Sequence, residues 1–170
     1  KRSGKERLSV FDQRLSSELL GKLQLETELR AALERQELCL DYQPIVDLGN
    51  DRIHGFEALV RWDHPMHGRL PPSAFLPIAE ETGLITELGA WVLREACRQT
   101  SVWRRRFPEH ADLTISVNFS RRELQDPQVL ASLECALAES GLCADDLHIE
   151  LTETILLHTG KPGQEARVDL

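Results

Sequence analysis

The chain has 170 residues, 41% of them apolar and 28% charged, enough for one globular domain and too apolar for intrinsic disorder. Its 28 acidic residues outnumber 20 basic ones, and the net charge of -8 argues against a broad face for duplex nucleic acid. It leaves room for a small phosphate-bearing ligand met by one placed arginine or a metal ion.

No apolar run reaches the ~18 residues of a membrane span, so no membrane contact by this segment is expected. The start, KRSGKERLSV, is basic and lacks the apolar stretch of a secretory signal. A cytoplasmic setting with reduced thiols is therefore expected for Cys39, Cys97, Cys135 and Cys143, which form no CxxC pair. Cys97 and Cys135 fall in helical apolar patterns and read as core fillers.

In chain order, Leu19, Leu23, Leu29 and Leu33 give a partial helical stripe, weakened by Gly21, and predict a linker helix over residues 19–37. Leu38–Val46 and Arg52–Trp62 read as strands joined by the turn residues Gly49, Asn50 and Asp51, hence antiparallel. Residues 63–68 read as a loop. Pro71, Pro72 and Ser73 open a short helix that Gly83 stops, and a longer helix runs from about Ile85 to Arg106, ended by Pro108. Leu113–Phe119 is a third strand. Asp126 and Pro127 start a helix closed by Gly141, and Leu147–Leu151 is a fourth strand. Helices alternating with strands predict an α/β fold with a largely parallel sheet.

Strand parity separates two faces. Phe56, Ala58, Val60 and Trp62 oppose Gly55, Glu57, Leu59 and Arg61; Ile115, Val117 and Phe119 oppose Ser116 and Asn118; Ile149 and Leu151 oppose His148 and Glu150. Gln43 and Asp41 oppose Tyr42. One face is greasy, and the other carries Gln43, Glu57, Arg61, Asn118 and Glu150. That polar face is either a solvated sheet surface or the mouth of a parallel barrel, where Arg61, Asn118 and Glu150 lie towards the C-terminal strand ends. Two carboxylates and a carboxamide oxygen suit Mg²⁺ or Mn²⁺ better than zinc or copper.

The run GFEALVRWDHPMHGRLPPSAFLPIAEETGLI, with YQPIVDL around Gln43, SVNFS around Asn118 and IELTET around Glu150, resembles the EAL domain, the family of cyclic di-GMP phosphodiesterases. The resemblance implies a TIM-barrel-like fold with an antiparallel first strand, of which this chain carries about the first four strands of a domain of about 250 residues. It implies Glu57, Asn118 and Glu150 as metal ligands for Mg²⁺ or Mn²⁺, and Arg61 as the group meeting a ligand phosphate. Gln43 and Leu59 match positions lining the dinucleotide site, and Glu153 a residue that organises a later loop. The implied reaction is metal-dependent hydrolysis of cyclic di-GMP to linear pGpG. The alternative is a degenerate domain acting as a cyclic di-GMP-binding or dimerisation module.

The opening SGKERLSVFD resembles the tail of a GGDEF domain, giving a division into 1–18 as that tail, 19–37 as linker, 38–158 as EAL segment and 159–170 as unassigned. The family's later Asp-Asp block has no counterpart here. Asp145 and Asp146 read as turn residues before a strand, and Lys161 in HTGKPGQEARVDL is not promoted to a catalytic role. The isolated chain is therefore expected to be inactive and, with an unclosed barrel, to form a homodimer. His64 reads as a loop-shaping residue, and Arg104, Arg105 and Arg106 as a solvated helix C-terminus. Trp91 and Trp103 read as packing residues.

Overall fold

The computed structural model describes the backbone of residues 4–151 and the side chains from Leu20 to Leu151. The expectations for Glu153, Lys161 and the tail at 159–170 lie outside these residues.

Helix α1 (Gly4–Arg35) is followed by the hairpin β1 (Leu38–Asp47) and β2 (Arg52–His64), the short β3 (Gly68–Leu70), α2 (Pro72–Thr82) and α3 (Ile85–Arg106). Then come β4 (Thr114–Phe119), α4 (Arg121–Leu124), α5 (Val129–Ser140) and β5 (Leu147–Leu151). The sheet order is β1-β2-β4-β5. β1 runs antiparallel to β2, β4 and β5 follow in parallel register, and β3 pairs antiparallel with the end of β2. Helices connect the parallel strands, as the long crossover demands.

Two boundaries differ from expectation. The helix predicted from Leu19 runs unbroken from Gly4, because one interior glycine costs only about 1 kcal/mol and does not break a long helix. The loop expected at 63–68 is mostly strand and hairpin: β2 continues to His64, and Gly68 (φ 67) closes a turn into β3.

The core lies between the greasy sheet face and the helices. Trp62, Phe75, Leu29, Leu88, Leu93 and Ile115 are fully buried, and Trp62 meets Phe75 edge-on at 5.8 Å. Trp103 packs against Tyr42 (4.7 Å) and Phe56 (4.9 Å), the packing role expected of it. Cys97 is buried as expected, and burial pushes its thiol up to about 11. Cys135 is exposed instead. Helix α5 buries only Leu133 and Ala136, and Cys135 lies off that stripe, with its thiol against Glu139.

Arg104 also departs from expectation. It is not a solvated helix end: its guanidinium binds both oxygens of Asp146 (2.6 and 2.9 Å) and the Leu113 carbonyl. It thereby ties the end of α3 to the starts of β4 and β5. Arg105 and Arg106 are exposed. Asp146 also accepts the Cys143 amide, and the Arg104 guanidinium holds its carboxyl below the usual range. Asp146 thus has the strand-preceding place expected of it.

Candidate active site

The alternation read from β2 is realised. Ala58, Val60 and Trp62 are buried under the helices, while Glu57, Leu59 and Arg61 are half-buried on the opposite face. Gly55 makes this register possible. A Cβ there would lie 2.3 Å from Thr114 Oγ1 and 2.6 Å from the Thr114 carbonyl oxygen, so only glycine lets β4 draw alongside. The ladder then pairs Gly55 with Thr114, Glu57 with Ser116 and Ala58 with Val117.

That register brings the predicted ligands together. Asn118 Nδ2 donates to Glu57 Oε1 at 2.6 Å. Asn118 pairs in turn with Glu150 on β5, and Gln43 on β1 pairs with Glu57 from the other side. Gln43, Glu57, Asn118 and Glu150 therefore cross four neighbouring strands on one face. The Asn118 amide gives one of its two N–H donors to Glu57 and keeps Oδ1 as an acceptor. Among the described residues no group of three His, Cys, Asp or Glu side chains is placed to hold a metal ion. Two carboxylates completed by a carboxamide oxygen are a hard-oxygen set, and that set fits Mg²⁺ or Mn²⁺.

Nearer the C-terminal end of β2, Arg61 Nε forms an ion pair with Asp41 Oδ2 at 2.9 Å, and one Nη donates to the Val60 carbonyl at 2.9 Å. Leu59 lines a cleft of about 260 Å³ with Ala58, Leu76, Leu88, Asn118 and Glu123, where the ends of β2 and β4 meet α2 and α3.

The loop leaving Asn118 is fixed by a feature the sequence reading passed over. Ser120 caps α4, accepting the Glu123 amide, and Glu123 Oε2 accepts the Ser120 amide at 2.7 Å. The Ser120-x-x-Glu123 spacing is the sequence signal that could have found it. Glu123 is 6% exposed, and burial pushes its carboxyl up despite the Ser120 hydrogen bonds. Its socket is Gly89 of α3, where a Cβ would sit 1.8 Å from Glu123 Oε1.

His64 takes the loop-shaping place read for it. It is buried, its Nδ1 accepts the amides of Met66 and His67, and its Nε2 faces Glu28 of α1 at 3.2 Å. Because Nδ1 accepts, Nε2 carries the proton that Glu28 receives.

Comparison with known proteins decides the family. The family model of the EAL domain matches residues 26–166. The chain belongs to the EAL family. The consecutive β2 residues Glu57, Ala58 and Leu59 are the triplet that gives the domain its name. Over 154 residues the chain is 42% identical to MucR of Pseudomonas aeruginosa, a bifunctional diguanylate cyclase/cyclic di-GMP phosphodiesterase; the match covers 91% of this chain and 22% of MucR. It is 37% identical over 158 residues to NbdA of the same organism, a cyclic di-GMP phosphodiesterase, covering 93% of this chain and 20% of NbdA.

Among solved structures, the MucR phosphodiesterase in complex with c-di-GMP superposes with a TM-score of 0.72 at 46% identity, over 76% of this chain and 52% of that one. The Xanthomonas citri FimX EAL domain in complex with c-di-GMP gives 0.72 at 27% identity, over 85% and 55%. The architecture is thus that of the TIM-barrel-like EAL fold. This EAL segment spans about a fifth of the length of these curated relatives and about half of these EAL structures.

Proposed function

We propose that this EAL segment contributes the Glu57–Asn118–Glu150 part of an active site that hydrolyses cyclic di-GMP to linear pGpG with Mg²⁺ or Mn²⁺. The observation that carries the reading is the Asn118–Glu57 hydrogen bond beside Glu150, which gathers the three oxygen donors on one sheet face. The similarity to proteins named as cyclic di-GMP phosphodiesterases supports the substrate.

Glu57, Glu150 and Asn118 Oδ1 would hold the ion. Bound there, it would neutralise the anionic phosphodiester and make a water more acidic. Arg61 would direct its guanidinium at a ligand phosphate oxygen, a charge-assisted contact that orients the diester for in-line attack. Gln43 and Leu59 would line the dinucleotide site, and Glu153 would organise the loop that follows a later strand. The Ser120–Glu123 cap holds the backbone just beyond Asn118 and so limits how far its amide can swing.

A cytoplasmic setting for this segment is part of the same proposal. The test is turnover of cyclic di-GMP by the full-length protein, with and without Mg²⁺ or Mn²⁺. Metal-dependent release of pGpG is expected. Tight binding without turnover would make the domain a nucleotide sensor instead.

A further inference from the structure

We infer that Arg69 is a second phosphate-binding residue, held beside Arg61 by their shared carboxylate, Asp41. The inference rests on the cyclic di-GMP reading and adds to it a residue of β3.

β3 pairs with the C-terminal end of β2, the end that carries Arg61, and Arg69 stands opposite Asp63. Asp63 lies two residues beyond Arg61 and shares its face. From β3 the Arg69 side chain reaches back across β2 to β1, where its Nη2 donates to Asp41 Oδ1 and lies 3.5 Å from Cys39 Sγ. Its Nε is 3.8 Å from Asp63 Oδ1. Arg61 takes the other oxygen of the same carboxylate, Oδ2. One aspartate therefore binds two guanidiniums drawn from two different strands.

Two cations on one carboxylate repel each other, and Asp41 and Asp63 offset that repulsion so that the four groups together carry no net charge. The guanidiniums are nevertheless not saturated. Among the described residues, Nη2 of Arg61 and Nη1 of Arg69 have no acceptor. Arg61 is 22% exposed at its side chain and Arg69 51%, so the first is well fixed and the second remains open to solvent.

This is the pattern expected of an anion cradle: two planar donors pre-oriented by an internal carboxylate, each keeping an Nη group in reserve. A phosphodiester offers two non-bridging oxygens and one negative charge, which suits a pair of guanidiniums better than a single one. A purely structural Arg69 would only tie β3 to β1, and exposed ion pairs of that kind contribute little.

The test uses the full-length protein and cyclic di-GMP as the probe. Arg69→Met keeps the apolar stem and removes the charge; Arg69→Lys keeps the charge and loses the fork. We expect Arg69→Met to weaken binding about tenfold and to make the affinity less sensitive to salt, with Arg69→Lys intermediate. The melting temperature is read alongside. A methionine variant whose affinity and salt dependence match wild type overturns the inference and leaves the cyclic di-GMP reading standing. A loss of affinity with unchanged salt dependence in a less stable protein also overturns it, since that is the mark of a structural tie. Failure of the wild-type protein to bind cyclic di-GMP overturns both readings together.

Discussion

Gly55 and Gly89 act at the scale of single atoms, and both shape the candidate site by what they lack. Gly55 admits Thr114 and sets the β2–β4 register on which the Glu57–Asn118 contact depends; Gly89 admits the Glu123 carboxylate, which braces the loop after Asn118. A methyl group at position 89 would overlap that carboxylate and force the Ser120–Glu123 cap apart. Gly89→Ala is expected to destabilise the protein by about 2 kcal/mol, in the range of overpacking in a filled interior. Glu123→Ala should remove most of that penalty, because the clash is with its side chain. Urea unfolding of the two single variants and the double variant gives the coupling directly. Equal costs of Gly89→Ala in both backgrounds would show that Glu123 is not what the glycine accommodates.

At the scale of secondary-structure elements, the Arg104–Asp146 pair holds the starts of β4 and β5 against the end of α3, away from the Arg61 end of the sheet. Asp146 has a depressed folded-state pKa, so its contribution is present above the unfolded carboxyl value of about 4 and is lost as pH falls through the lower folded value. Arg104→Ala leaves a half-buried carboxylate and a carbonyl without their partner, and about 2 kcal/mol of stability should go at pH 7. Denaturant melts from pH 7 down to pH 3 should show the difference between wild type and variant narrowing in acid. A gap that stays constant or widens would contradict the assignment.

Elements of this kind also show what was legible in the sequence. Alternation in β2, β4 and β5 placed Glu57, Asn118 and Glu150 on one face, because a period of two leaves little choice once one face is greasy. Gly83 and Gly141 marked the ends of α2 and α5, where φ is 87 and 74. The extension of β2 past Trp62 was hidden by polar residues and a proline that look like a loop. Asp63 and Arg69 face each other across the hairpin, and Arg69 also reaches Asp41 on β1, 28 residues away, a partnership that local pattern does not reveal. The tie made by Arg104 is equally beyond local pattern, since Asp146 is 42 residues away. The exposure of Cys135 depends on how narrow a stripe α5 buries, which composition does not state.

For the molecule as a whole, the described sheet has one helix-covered face and one face of polar groups, with β1 and β5 at its ends. In the described residues nothing pairs with the outer edge of β5, and the similar EAL structures are about twice as long as the matched region. The 170-residue chain alone is therefore expected to self-associate and to leave cyclic di-GMP intact, since an open edge and an unopposed polar face both invite a second copy. Sedimentation and a hydrolysis assay on one preparation check this; a well-folded monomer contradicts the first expectation, and metal-dependent turnover the second.

The most direct test of the proposed chemistry is the change Glu57→Gln in the full-length protein, with cyclic di-GMP affinity and Mn²⁺-dependent turnover measured on the same sample. Glutamine matches glutamate in size and can still accept from Asn118, so the sheet should be preserved while a charged metal ligand is lost. The expected result is a folded variant that retains nucleotide binding and has turnover reduced at least about a hundredfold, the scale on which losing a placed charge-stabilising group acts. Turnover at the wild-type rate in Mg²⁺ and Mn²⁺ would contradict the account, because Glu57 would then lie outside the chemistry.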